Sequence, residues 1–454
     1  MSIFNGKRLT NSVFKLDIER MRRGWYSDKY FENSVRMYEE LVECGYRFGG
    51  ESPGLSERDF RLGEVETGDI KVEMQWFTRR EPFTLIVGVD KALSMLRHCT
   101  GYFDGKGSFV ETYDRLEVEA VEDGVKIFYE GDPSHVKPVI RVRGRYRDFA
   151  ILETPTLGAL TRASRIATNV YEVLVAARGK PVLFFPARFD AHEIQAADGY
   201  AYDIAVRRYA MDTGRELESF VSTDAQGDWW GGAGGGTVAH AAIATFLGDT
   251  AELMLAFAET QLLNVPRIAL VDFLNDSVYD SLAALKALFG RYRELVERGD
   301  ETEAERYRLY GVRLDTSGSL RDVNVPSLGD PARERGVTPE LVRIVRRALD
   351  HAFESWDVPN DWTERAREYC SSVKIVATGG FDPQKIAFFE KQDVPVDIYG
   401  VGSWLLSSCK HCGTSSDFTA DVVRAEVNGE WVQMAKVGRL PGENDDLKPV
   451  RWSE

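Results

Sequence analysis

The glycine-rich run Gly231 to Gly236 leads into Thr237-Val238-Ala239-His240, and an apolar, helix-forming stretch from Ala241 to Leu247 follows. A histidine so placed can serve as a nucleophile toward phosphorus or as a proton shuttle; the bland alternative is a structural histidine. His240 stands apart from His98, His135, His351 and His411, because only it and His192 fall in loops behind expected parallel strands. The run Gly311-Val312-Arg313-Leu314-Asp315 sets Arg313 and Asp315 two apart, hence on one face of a strand, with Thr316-Ser317-Gly318 behind them. That carboxylate can stabilise developing positive charge, and the guanidinium can grip a carboxylate or diphosphate; a structural ion pair is the competing reading. Arg188, behind VLFFPA, supplies a second cation. Gly379 and Gly380 lie between a strand and a helix opened by Asp382-Pro383, and Gly400, Gly402 and Ser403 follow the next strand. Such loops expose backbone N–H groups to a phosphate beside a helix N-terminus, although tight turns needing positive φ would use the same glycines.

The elements that must position these groups show in the hydrophobic rhythm. From Asp69 to about Phe149 the chain is β-rich, with Ile70 to Phe77, Thr84 to Val89, Leu116 to Val121, Val125 to Tyr129 and Val139 to Arg143 as strands of an open antiparallel sheet. Two helices are expected between Asp17 and Val42, broken by the turn-forming Gly24 to Asp28. After Glu153 short apolar strands alternate with amphipathic helices, the signature of parallel βαβ units. The strands are Val182 to Phe185, Ser219 to Ser222, Arg267 to Asp272, Gly311 to Asp315, Val373 to Ala377 and Val396 to Tyr399. In such an architecture the site sits at the C-terminal strand ends, where the candidates above lie. Leu282, Leu285, Leu288, Phe289, Tyr292 and Val296 form a core stripe, and Thr338-Pro339 opens another helix with an N-cap and proline at the first helical position. Thr419 to Val427 and Glu430 to Val437 read as a hairpin turned at Asn428-Gly429, packing back on the first sheet.

At 454 residues the chain has room for two or three domains or a barrel with a companion. A hydrophobic share of 43% can fill a large core. Lys plus Arg number 57 against 72 Asp plus Glu, a net charge of −15, which lacks the basic footprint of a nucleic-acid binder. No apolar run reaches the roughly 18 residues of a membrane span, and Met1 to Thr10 carries no signal-like apolar region, so a cytoplasmic protein with no membrane association is expected. Five scattered cysteines, Cys44, Cys99, Cys370, Cys409 and Cys412, do not make a disulfide framework. Cys409, His411 and Cys412 suggest half a zinc knuckle without its other half, so no protein metal site is assigned. The run Gly101 to Ser108 is one residue short of a P-loop and reads as a hairpin turn.

LETPTLGALTRASRIATNV, FPARFDAH, STDAQGDWWGGAGGGTVAH, GVRLDTSG, IVATGGFD and IYGVGSWL, taken in order, resemble the nicotinate phosphoribosyltransferase family, as do GWYSDKYF and VEMQWFTRREPFTLIVG nearer the N-terminus. Their collinearity, from about Trp25 to Leu406, carries the resemblance. It implies a type II phosphoribosyltransferase: an irregular α/β barrel (151–406) behind an N-terminal α/β sandwich domain (1–150) that is completed by the C-terminal segment (407–454). It further implies a homodimer with a shared active site, joining nicotinate to phosphoribosyl pyrophosphate with Mg2+ and with ATP as co-substrate, in NAD biosynthesis. On the matching positions His240 becomes the phosphorylated histidine, Asp315 the carboxylate below the sugar, and Tyr30 the aromatic that stacks on the pyridine from the neighbouring subunit. Arg188 and Arg313 match cations for nicotinate carboxylate or diphosphate, with Thr237 and Ser317 among the substrate contacts. Gly379, Gly380, Gly400, Gly402 and Ser403 match the ribose phosphate loops.

Two departures stand out. The family's Phe-Gly-x-Arg-Arg reads Phe185-Pro186-Ala187-Arg188-Phe189 here, without the second arginine, and its Asp-Ser-Gly-Asp reads Asp315-Thr316-Ser317-Gly318-Ser319, without the second acid. Nicotinamide or another base as acceptor, and a non-catalytic phosphosugar sensor, are the alternatives that these changes leave. Quinolinate phosphoribosyltransferases share the fold type but lack the GT-x-x-H histidine.

Overall fold

The computed structural model describes residues 4–55 and 58–452. Its contacts divide the chain into two compact units: Met1–Tyr171, Tyr200–Asp212 and Ser407–Glu454 form one, and Glu172–Gly199 with Thr213–Leu406 form the other. The first unit runs through Tyr171, well into the helix Glu153–Ala176, rather than stopping at 150. The reason is packing: Leu152, Leu157 and Leu160, at the start of the helix Glu153–Ala176, join the core that covers the antiparallel sheet. Tyr200 is drawn into the same unit, its hydroxyl donating to the buried Asp123 carboxylate at 3.2 Å.

In the first unit six strands pair in the order Glu430–Gln433, Phe418–Val427, Lys71–Thr78, Ile140–Arg145, Glu117–Ala120, Lys448–Pro449. The C-terminal strand Phe418–Val427 thus lies beside Lys71–Thr78, with Trp76 opposite Ala420. Period-two alternation sends Val72, Met74 and Trp76 into a core with Leu93, Leu96, Val142 and Phe149. The opposite face is also covered. Glu73 is 1% exposed and is held by Arg143 at 2.6 Å and Arg424 at 2.7 Å, so its charge is buried only in company.

Expectation and structure part at two early strands, because Phe83–Leu85 and Lys126–Phe128 pair with each other in a separate two-stranded sheet. Thr84 to Val89 was expected to be extended throughout, yet strand Phe83–Leu85 ends early and helix Val89–Cys99 begins, its first amide accepted by Asp123 at 2.9 Å. The helix break near Gly24 to Asp28 appears between Ile18–Arg22 and Lys29–Glu43. Gly101–Phe103 pairs antiparallel with Phe109–Glu111, the hairpin expected there. Asn428 (φ 50°) and Gly429 (φ 87°) turn the C-terminal hairpin in left-handed geometry. A Gly429→Ala variant places a Cβ in that region and is expected to lower unfolding free energy by about 1–2 kcal/mol, read from urea denaturation. An unchanged midpoint would refute the assignment. Cys409 and Cys412 are bonded to each other, a single local link across three residues.

In the second unit five strands run parallel in the order Val182–Phe184, Ile398–Val401, Lys374–Ala377, Gly311–Leu314, Ile268–Leu270. Single bridges extend the ladder from Phe184 to Val221 and from Val221 to Gly234. The strand expected at Ser219 to Ser222 therefore shrinks to one paired residue. Its backbone leaves the ladder because Ser222 and Thr223 turn their amides to Gln226 Oε1, forming a capping box for the short helix Asp224–Gly227. Among the described residues no strand pairing joins Gly234 to Ile268, which makes this an irregular barrel. Leu285, Leu288, Phe289 and Tyr292 of helix Ser277–Glu297 are buried, and Thr338 caps Pro339–His351. No helix among the described residues is long and apolar enough to cross a membrane.

Candidate active site

The C-terminal ends of the parallel strands gather the candidates of the second unit. Behind Ile268–Leu270 comes Asp272, which meets His240 at the start of helix His240–Thr245: Nε2 of the ring lies 2.9 Å from Asp272 Oδ1. The imidazole side chain is 45% exposed and the carboxylate only 8%. Burial raises the Asp272 carboxyl above its ordinary value, the His240 hydrogen bond opposes this, and the nearby Asp315 adds to the rise. The ring therefore hangs at the surface from a recessed acceptor. Thr237, half-buried, lies three residues before it on the approach from the glycine run.

Arg313 points from the middle of its strand, half-buried, and donates from Nη2 to the Val238 carbonyl at 3.4 Å. Burial pulls the guanidinium below its ordinary value against the attraction of Asp315 and Asp272, and the field of Arg188 lowers it further. Its Nε is buried with no acceptor. An unmet buried donor on a charged group costs about 1–3 kcal/mol, which an arriving anion would recover. Asp315 is held by the Thr378 hydroxyl at 2.8 Å, and that hydroxyl also reaches the Leu314 carbonyl at 3.0 Å. The neighbouring strand thus orients the carboxylate. The Ser317 hydroxyl lies 2.9 Å from that of Ser319 on the exposed loop beyond.

Gly379 (φ 86°) and Gly380 (φ 66°) are left-handed, as the strand-to-helix turn requires. A Cβ on Gly379 would stand 3.4 Å from Asp315 Oδ1, so this loop runs directly against the carboxylate. The amides of Gly379, Gly380 and Phe381 donate to no acceptor among the described residues. Gly402 and Ser403 follow the next strand, and a Cβ on Gly402 would press to 2.7 Å from the Phe189 ring, which ties this loop to the one carrying Arg188. Gly400 lies inside strand Ile398–Val401, not behind it: the expected strand, Val396 to Tyr399, ended too soon. A Cβ there would meet Thr378 Cγ2 at 2.5 Å and the Phe185 ring at 3.0 Å, so packing alone requires this glycine. Tyr30 lies in the first unit, on helix Lys29–Glu43, 60% exposed with its hydroxyl on Asp28 at 3.1 Å. His192 is almost wholly exposed beside Glu193.

Sequence reasoning missed Asp272, Thr378 and Lys385. Asp272 closes Leu270-Val271-Asp272 as Asp315 closes Arg313-Leu314-Asp315, a parallel that was legible but unused. Nothing in the sequence pointed at the orienting role of Thr378, since it depends on a cross-strand neighbour. Phe185, half-buried with its ring 6.3 Å from Phe220, lines the same strand ends with an apolar surface.

No family model matches the chain. Among solved structures, it is similar to the nicotinate-nucleotide pyrophosphorylase of Pyrococcus furiosus, with 26% identity and a TM-score of 0.61 over 94% of this chain and 80% of that one. It is similar in fold to human nicotinic acid phosphoribosyltransferase, at 17% identity and a TM-score of 0.50, over 80% of this chain and 72% of that one.

Proposed function

We propose, for a chain with the fold of the type II phosphoribosyltransferases, that it joins nicotinate to phosphoribosyl pyrophosphate and couples the reaction to ATP through a phosphate on His240. The observation that carries this reading is the His240–Asp272 pair beside Arg313 and Asp315, because a transferase needing only substrate binding has no use for an exposed histidine so held. The pyridine nitrogen attacks the anomeric carbon while the bond from that carbon to the diphosphate oxygen breaks, and the diphosphate leaves with the electron pair. Positive charge builds on the sugar in between, and Asp315 supplies the opposing charge. Arg313 and Arg188 take the anionic groups, Thr237 and Ser317 add hydroxyls, and the loops at Gly379, Gly380, Gly402 and Ser403 take the ribose phosphate, with Gly400 behind them in the strand.

With Nε2 turned to Asp272, the tautomer protonated there leaves the Nδ1 lone pair free to attack the terminal phosphorus of ATP. The phosphorus–oxygen bond to ADP breaks in that step; water later takes the phosphoryl group and frees His240. Among the described residues no three His, Cys, Asp or Glu side chains cluster for a metal. Asp272 and Asp315 are two carboxylates within each other's field, which suits Mg2+ shared with substrate phosphates. The ion would neutralise diphosphate charge as the bond breaks. Tyr30, with exposed Trp25 and Met37 near it in sequence, belongs to a surface suited to a second copy of the chain, giving a homodimer in which Tyr30 reaches the partner's pyridine.

The test is mass spectrometry of small molecules and intact protein after incubation with phosphoribosyl pyrophosphate, Mg2+ and ATP, in parallel with nicotinate, nicotinamide or quinolinate. Nicotinate mononucleotide together with one ATP-dependent phosphoryl group on the protein is expected. No mononucleotide from any base would refute catalysis in favour of a sensor, and product from nicotinamide or quinolinate alone would reassign the base. Asp272→Asn is expected to slow His240 phosphorylation on the order of 10²-fold or more, because the amide no longer selects the reactive tautomer. Phosphorylation at the wild-type rate in rapid-quench assays would remove Asp272 from this role.

A further inference from the structure

Lys385 sits on the first turn of helix Pro383–Lys391, and its side chain folds back beneath the Gly379–Gly380 loop. Its Nζ donates to the Gly379 carbonyl at 3.2 Å, and the ammonium lies 4.2 Å from the centre of the Phe381 ring and 6.0 Å from that of Phe389. Its own backbone amide is taken by the helix cap Asp382 at 2.7 Å. A lysine placed only for solubility would extend into water. This one is largely withdrawn from it, with one carbonyl as its hydrogen-bond acceptor.

The carbonyl it holds belongs to the peptide that carries the Gly380 amide. In a trans peptide the C=O and the following N–H point in opposite directions, so fixing one fixes the other. Gly380 has left-handed φ, open space where a Cβ would stand and no acceptor for its N–H. Two consecutive glycines leave this peptide free to flip at little cost, and a flipped peptide would present a carbonyl oxygen to an incoming phosphate. We propose that Lys385 is a positioning residue of the phosphate loop, its ammonium holding the Gly379 carbonyl inward so that the Gly380 amide faces the ribose phosphate. The inference rests on the proposed phosphoribosyl transfer. It adds the group that sets the loop's polarity and brings a positive charge to within one peptide of the anion.

Burial pushes the Lys385 ammonium down to about 8, and Asp382 is the charged neighbour that opposes this; the other groups against it are the Phe381 and Phe389 rings and the Gly379 carbonyl. The device should therefore weaken as pH rises through about 8 in the unliganded protein.

The experiment is calorimetric titration of the full chain with ribose 5-phosphate, using wild type, K385M and K385R, with unfolding midpoints measured alongside. Wild type and K385R should bind within about threefold of one another. K385M should lose about tenfold or more in affinity, the cost of roughly one charge-assisted hydrogen bond, without a lower unfolding midpoint, since a buried ammonium has been replaced by an apolar chain. Equal binding by wild type and K385M would overturn the proposal, and so would a loss in K385M matched by a lower midpoint. Should K385M not fold, the wild-type pH profile decides: affinity falling above about 8 supports the proposal, and a flat profile overturns it. Wild type that neither binds ribose 5-phosphate nor forms mononucleotide would sink the parent reading as well, an outcome distinct from failure in the variant alone.

Discussion

His240→Ala is expected to abolish ATP-dependent phosphorylation of the protein and, with it, all stimulation of mononucleotide formation by ATP. Of the six histidines, His98 lies on helix Val89–Cys99, His135 pairs with Asp132 at 2.7 Å, His192 with Glu193 and His351 with Glu354, while His411 lies in the turn closed by the Cys409–Cys412 bond. Among the described residues only His240 combines exposure with a hydrogen bond to a recessed carboxylate. Uncoupled transfer should persist at a lower rate, because Arg313, Asp315 and the phosphate loops remain in place. The measurement is intact-protein mass after incubation with ATP, with product formed in the presence and absence of ATP. Persistent phosphorylation of the variant would move the phosphoacceptor elsewhere and leave the coupling argument without a residue.

Arg313→Met should weaken use of phosphoribosyl pyrophosphate or nicotinate by about 10²- to 10⁴-fold in kcat/KM. That figure is two hydrogen bonds from a charged donor at about 1.5–3 kcal/mol each, converted at about 1.4 kcal/mol per tenfold. The variant should fold as well as wild type or better. The side chain is half-buried, its Nε has no acceptor and its one hydrogen bond among the described residues, to the Val238 carbonyl, is long at 3.4 Å, so its removal relieves desolvation and forfeits little. A lower KM-independent stability would instead mark Arg313 as a structural partner of Asp315, the competing reading of the Arg-x-Asp pattern. Steady-state kinetics with each substrate varied, beside urea unfolding, separates these outcomes. The substrate whose KM rises identifies the anion that Arg313 grips.

Much of this architecture was legible along the chain, and the gaps fall where local order yields to neighbours distant in sequence. Alternation with period two in Lys71–Thr78 announces a strand, and Asn428-Gly429 announces the turn that returns the C-terminus. The position of that returning strand, at Lys71–Thr78 rather than at a sheet edge, is set by Trp76 and Met74 packing against Phe418 and Ala420. Ser219 to Ser222 looks like a strand by composition, yet Gln226 captures its last amides, and a side chain four residues on outbids the ladder.

The sequence by itself determined which groups stand at strand ends, since a residue's place behind a short apolar run is a local property: Asp315, Gly379, Gly380 and Gly402 lie behind their strands, with Arg313 inside its own. Only the tertiary structure decided which of them act as pairs. Asp272 reaches His240 across 32 residues, Thr378 orients Asp315 across 63, and Gly400 is a glycine because Phe185 packs on it from the adjacent strand. The physical reason is that parallel strands joined by long crossovers place side chains in contact according to strand order and register, and that order follows from burial of whole elements rather than from any residue near the site.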